Sequence, residues 1–148
     1  KGKYIISDAA REGRKHNYPM GLIYSPIGKP ARKAYSLFPA VDEAGKGFEY
    51  IDELLRASFY EGINIGEDEY LQSLITNLDL DWSLIKKDLN SKKWKKVLDD
   101  NLKDMYAGNC WGVPSFKITD IDGNNPFTVW GQDRMWLLKE EINKRLGQ

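Results

Sequence analysis

Trp111-Gly112-Val113-Pro114-Ser115-Phe116, carried through a turn at Asp122-Gly123 to Trp130-Gly131-Gln132-Asp133-Arg134, decides how the 148-residue chain is read. Phe116 and Ile118, then Phe127 to Trp130, have the short apolar spacing of two strands joined by a hairpin turn. Pro114 stands at the first strand's entrance, where a missing ladder donor is tolerated. A trans bond there is ordinary strand-start chemistry. A cis bond instead turns the Val113 backbone outward, free to pair with a peptide-like ligand as a short added strand. At the far end, Gln132 and Asp133 open a helix. Asp133 can simply offset the helix dipole, or the same free amides can take a ligand carboxylate while Asp133 pairs with a ligand ammonium.

Upstream the period is helical. Residues 4–16 form one helix, ending near Asn17. Pro19, Gly21, Pro26, Gly28 and Pro30 make residues 19–30 an extended connection. Helix resumes over 31–40, and Phe48, Ile51, Leu55 and Phe59 mark another, stopped by Gly62. Tyr70 to Leu78 form the next, with Glu67 and Asp68 at its positive end. Asp81 caps a short helix through Trp82, Ile85 and Leu89. Ser91 caps a longer one through Trp94, Val97, Leu98, Leu102 and Met105. Met135, Leu138, Ile142 and Leu146 lie on a last helix. The chain therefore reads as a helical region over 1–90 and a helix–strand–strand–helix region over 91–148. A lone hairpin is marginal in water, so the strands are expected to join a larger sheet from a missing N-terminal segment or a partner.

Composition narrows the function classes. Hydrophobic residues make up 41% of the chain, and the formal net charge is zero. No global field draws it to nucleic acid or an anionic membrane. Lys86, Lys87, Lys92, Lys93, Lys95 and Lys96 interleave with Asp88, Asp99 and Asp100 and spread around more than one helix face, the pattern of a solvated surface. No apolar run reaches a membrane span, so neither membrane nor nucleic acid is an expected partner. Cys110 is the single cysteine and His16 the single histidine. A chain with one thiol forms no internal disulfide, and Cys110 reads as a small buried hydrophobe. His16, beside Lys15 at a helix end, reads as a surface residue. No acidic, Cys and His cluster has metal-ligand spacing, so no metal is expected. The absence of a signal-like segment points to the cytoplasm.

Gly112-Val113-Pro114-Ser115-Phe116 and Trp130-Gly131-Gln132-Asp133-Arg134, with Phe59-Tyr60-Glu61-Gly62, the helix entry at 65–69 and the helix at 91–97, resemble the 2-hydroxychromene-2-carboxylate isomerase and kappa-class glutathione transferase family. These are DsbA-like members of the thioredoxin superfamily. The resemblance implies an α/β thioredoxin-like fold with a large all-α insertion. This chain would match only the insertion and the C-terminal half, with the N-terminal βαβ part absent. It implies a glutathione-dependent isomerase or transferase of which this chain alone would lack the catalytic serine segment: the family's catalytic serine, which lowers the glutathione thiol pKa, is expected N-terminal to Lys1. Ser7, Ser25 and Ser36 stand in the wrong context to replace it. By resemblance, Val113, Pro114, Gly131, Gln132 and Asp133 bind glutathione. Trp111 and Trp130 wall a pocket for an aromatic or electrophilic small-molecule substrate, or else they pack in the core; Tyr24 and Tyr35 are further candidates for the same cleft. A homodimer is also implied. Two other readings stand beside this one: a DsbA-like thiol–disulfide oxidoreductase, which needs a Cys-x-x-Cys outside these residues, and a non-catalytic binding domain.

Overall fold

Three apolar stripes at helical spacing assemble the first half of the chain. The computed structural model describes residues 2–18 and 20–148; Pro19, part of the expected connection, lies outside them. The chain divides into two compact units, Lys1–Trp94 and Lys95–Gln148.

In the first unit, α1 (Gly2–Lys15), α2 (Lys29–Glu43), α3 (Gly47–Phe59), α4 (Asp68–Asn77) and the short α5 (Trp82–Ile85) follow in order, with a 3-10 turn over Lys86–Asp88. Ala34, Leu37 and Val41 of α2 meet Tyr50, Leu54 and Ala57 of α3 and Leu71, Leu74 and Ile75 of α4, all buried. Steps of three, four and seven residues put each set on one helix face, so burying them removes three apolar stripes from water together. Two polar contacts fix the arrangement. The Tyr50 hydroxyl donates to the Ala34 carbonyl at 2.9 Å. Fully buried Ser36 donates to the Lys33 carbonyl at 2.6 Å and accepts from the Asn90 amide at 2.9 Å.

One local expectation changes. The α2 helix runs to Glu43 through Pro39, beyond the expected stop near Ala40. Proline removes one intrahelical donor, and the buried Leu37 and Val41 on either side hold the helix through it. The Ser91 hydroxyl, ahead of α6, donates to the Ser36 carbonyl at 3.4 Å beside the left-handed turn at Asn90, and α6 starts at Lys93. Asp81 does cap α5, accepting from the Ser83 amide at 2.7 Å. The connection after Met20 lies along the C-terminal end of α3: the Gly21, Leu22 and Tyr24 amides donate to the Phe59, Tyr60 and Ser58 carbonyls.

In the second unit, α6 (Lys93–Ala107, entering from the first) leads to β1 (Ser115–Ile118), β2 (Phe127–Trp130), a 3-10 turn over Gln132–Arg134, and α7 (Met135–Leu146). β1 and β2 pair antiparallel with Ser115 opposite Trp130 and Ile118 opposite Phe127. Among the described residues this is a two-stranded sheet. Arg145 of α7 locks the hairpin tip, reaching Glu141 at 2.7 Å, Asp120 at 2.9 Å and the Asn125 carbonyl at 2.7 Å. No residue of α6 is fully buried, and its Leu98 and Leu102 stay exposed.

Candidate functional site

The hairpin register carries the site. Residues 113–114 and 131–133 are far apart in sequence, yet Ser115 pairs with Trp130, and the Gly131 amide donates to the Pro114 carbonyl at 3.0 Å. The proline loop and the turn before α7 therefore share one end of the sheet.

The loop is built from its glycines and hydrogen bonds. The α6 helix closes on a left-handed Asn109, with the Cys110 amide donating back to the Met105 carbonyl at 2.9 Å. Thr128 of β2 donates to the Gly108 carbonyl at 2.7 Å, pinning the loop to the sheet. Gly112 lies so close to Trp130 that a Cβ there would stand 2.5 Å from the indole Nε1. Ser115 donates to the Gly112 carbonyl at 2.5 Å. The Val113–Pro114 peptide bond is cis. Val113 is 87% exposed, and among the described residues no hydrogen bond takes up its backbone N–H or C=O.

Gly131 has φ of 101°, in the region that favours glycine. Gln132 and Asp133 do not start α7 directly: they form a separate 3-10 turn, and α7 begins at Met135. Asp133 makes no side-chain cap. Its Oδ1 pairs with the Arg134 guanidinium at 3.0 Å, and the same Arg134 nitrogen donates to the Trp130 carbonyl at 2.9 Å. Arg134 thus holds Asp133 at the mouth of the loop, the ion-paired role open to an Arg directly after an Asp in a turn.

A cavity of about 550 Å³ opens beside this end, between α6 and β1. Leu98, Leu102, Met105, Cys110, Val113, Pro114 and Phe116 line it, with Lys117 and Asp104 paired at 3.1 Å on the rim. Trp111 and Trp130 are not among its lining residues. Their rings rest on each other, centroids 5.0 Å apart and tilted by 41°, because Gly112 brings the Trp130 ring against the loop rather than over the cavity. Buried Cys110 directs its thiol to the Gly108 carbonyl at 3.6 Å. Tyr24 and Tyr35 belong to the helical unit, where Tyr35 lines a hollow of about 70 Å³. His16 is exposed, 3.6 Å from Glu12. Ser7 bonds to its own helix, to the Tyr4 carbonyl, Ser25 is exposed, and Ser36 is committed to the core. Among the described residues no group of three or more His, Cys, Asp and Glu is placed to hold a metal, and no helix is long and apolar enough to cross a membrane.

The DSBA-like thioredoxin domain family matches residues 1–143, and the chain belongs to that family. Among solved structures, 2-hydroxychromene-2-carboxylate isomerase (HCCA isomerase) superposes with a TM-score of 0.73 at 19% identity, over 97% of this chain and 66% of the isomerase. The cytosolic disulfide reductase DsbM from Pseudomonas aeruginosa superposes with a TM-score of 0.68 at 20% identity, over 97% of this chain and 77% of the reductase. These likenesses carry the DsbA-like thioredoxin fold. No curated protein sequence matches. The chain spans less than two thirds of the isomerase. The family match takes in both the helical and the C-terminal portions, so a resemblance confined to part of the family's domain, with an N-terminal βαβ part absent, is not borne out.

Proposed function

We propose that this chain binds glutathione and belongs to a glutathione-dependent enzyme of the 2-hydroxychromene-2-carboxylate isomerase type. One observation carries the reading: the hairpin register sets the open Val113 backbone and the Gly131–Asp133 turn at one sheet end, beside an apolar cavity. In this reading the cysteinyl backbone of glutathione pairs with the Val113 N–H and C=O as a short added strand. The γ-glutamyl ammonium pairs with Asp133, whose second carboxylate oxygen is free of Arg134, and the neighbouring carboxylate takes amide donors of the Gln132 turn. The thiol then lies over the cavity mouth. A thiolate there adds reversibly to an unsaturated carbon of an apolar substrate, allows rotation about the former double bond, and leaves again as the double bond re-forms. No residue of this chain is assigned to lower the thiol pKa. The reading places the protein in the cytoplasm.

Two-dimensional amide NMR of the 148-residue chain titrated with reduced glutathione tests this. Shifts are expected at Val113, Ser115, Gly131, Gln132 and Asp133. Shifts scattered over the surface, or none at Val113, overturn it. The likeness to DsbM supports a second reading, thiol–disulfide exchange. Cys110 is the only thiol in the sequence and is buried, so that chemistry requires a thiol from outside these residues.

A further inference from the structure

The α1 helix ends on a left-handed Asn17, where the Tyr18 amide donates back to the Gly13 carbonyl at 2.7 Å. This C-terminal turn brings the Tyr18 side chain to α3, and its hydroxyl donates to the Asp52 carboxylate at 2.9 Å. Met20 packs back on α1, where a Cβ at Gly13 would stand 3.0 Å from the Met20 Cγ. Gly21 lies so close to the end of α3 that a Cβ there would run into the Tyr60 carbonyl oxygen. Between these fixed points the first unit leaves a hollow of about 490 Å³, within the size range of small-molecule sites. Tyr18, Met20, Asp52, Leu55, Phe59 and Tyr60 line it, together with Arg56.

The charge in this hollow is one-sided. The Arg56 guanidinium is taken up by Glu61 at 3.2 Å and by Glu53 at 3.8 Å, although Asp52 stands one helical turn away at a spacing that would suit it. Asp52 is half-buried and, among the described residues, has no ion pair. The Tyr18 hydroxyl occupies its Oδ1 and leaves Oδ2 open. Three carboxylates therefore surround a single guanidinium.

That arrangement selects among occupants. An anion meets a negative surplus with no uncommitted cation to hold it. A metal ion finds one lining carboxylate where a hard cation takes six or more oxygens. A neutral apolar body fills the hollow but strips water from Asp52 and returns no charge. A cation on an apolar body satisfies both demands: a carboxylate for the charge, and aromatic side chains, which attract ammonium groups as well as apolar surface.

We propose that the hollow between α1 and α3 binds a small organic cation, an ammonium group on an aromatic or branched aliphatic body. The ammonium pairs with the open oxygen of Asp52, and the body lies against Met20, Leu55 and Phe59. None of these residues belongs to the glutathione contacts, so the site stands or falls independently of them.

NMR titration of the 148-residue chain, followed at backbone amides and methionine methyl groups, tests it with three probes of one shape. With 2-phenylethylammonium, saturable shifts are expected at the Met20 methyl group and at the Leu55 and Phe59 amides. Neutral 2-phenylethanol should bind about fivefold or more weakly, and anionic 3-phenylpropionate more weakly still. Asp52→Asn keeps an acceptor for the Tyr18 hydroxyl but removes the charge, and it should bring the ammonium down to the level of the alcohol. Equal binding of ammonium and alcohol by the wild-type chain overturns the proposal, as does undiminished ammonium binding by Asp52→Asn. The absence of saturable shifts at Met20, Leu55 and Phe59 overturns it too. The comparison of probes on the wild-type chain decides the matter even if Asp52→Asn does not fold. Shifts at Val113 and Gly131 with glutathione in the same sample report on the other reading alone.

Discussion

Replacing Gly131 by alanine tests the joint on which the site depends. Gly131 sits at φ 101° and ψ 136°, a conformation that costs an L-residue about 1–3 kcal/mol. The new methyl group would also run into the Asp133 carboxylate and come within 2.8 Å of the Arg134 guanidinium. Both contacts are side-chain ends that can swing away, so the backbone sets most of the cost. When they swing, the Asp133–Arg134 pair opens, and with it the Arg134 bond to the Trp130 carbonyl. Asp133 and Arg134 are 71% and 42% exposed, so the pair itself contributes only about 0.2–1 kcal/mol. Gly131→Ala should therefore destabilise the C-terminal unit by about 1–4 kcal/mol. Urea unfolding followed at the Trp130 indole resonance reads this unit. Adding Asp133→Ala to Gly131→Ala removes the clash and leaves the backbone conformation, so the double variant should recover only a minor part of the loss. A Gly131→Ala stability within about 0.5 kcal/mol of wild type, the range of an ordinary surface change, would refute the reasoning. Full recovery in the double variant would place the cost in the clash and not in the backbone.

Asp133→Ala alone should weaken glutathione binding about tenfold, since hydrogen bonds to charged groups are worth roughly 1.5–3 kcal/mol; calorimetric titration measures it, and unchanged affinity removes Asp133 from the site. Ser36→Ala removes the acceptor of the Asn90 amide and should cost about 0.5–1.5 kcal/mol in chemical unfolding, the net worth of an ordinary hydrogen bond. Burial pushes the Tyr50 hydroxyl well up, and burial with the nearby Glu53 and Glu61 pushes Tyr70 up to about 12. Between about pH 10 and 12 the folded chain keeps protons that the unfolded chain loses, so stability should fall as pH rises through that window and be unaffected below it; phenolate absorbance gives the titration, and Tyr70→Phe should flatten the fall.

Elements bounded by local chemistry were readable from the chain, and those bounded by distant contacts were not. Asp81 caps α5 because its oxygen reaches an amide two residues on, a relation contained in the sequence itself. The stripes of α2, α3 and α4 follow from spacing alone. The end of α2 did not, because Leu37 and Val41, packed against other helices, carry the helix past Ala40 to Glu43. The Ser91 hydroxyl bond is hidden for a similar reason: its partner, the Ser36 carbonyl, is 55 residues away. The helix start at Gln132 became a separate 3-10 turn, because the left-handed Gly131 and the Arg134 bond to Trp130 tighten the chain before α7 begins.

The candidate site divides along the same line. Val113, Pro114 and Gly131 to Asp133 stand out in sequence as a proline before a strand and an acidic turn after one. Their convergence depends on strand register, which fixes both ends of a hairpin at once. With Ser115 opposite Trp130, the residues before one strand and after the other must be neighbours. Tryptophan placement has no such constraint. Trp111 and Trp130 border the cleft in sequence, but the missing side chain of Gly112 admits the Trp130 indole against the loop, and the two rings pack on each other. The walls of the cavity come instead from α6 and β1, in aliphatic residues that looked like ordinary core. On α6, Leu98 and Leu102 remain exposed, so their helical spacing alone does not separate a cavity wall from a stripe buried in the core.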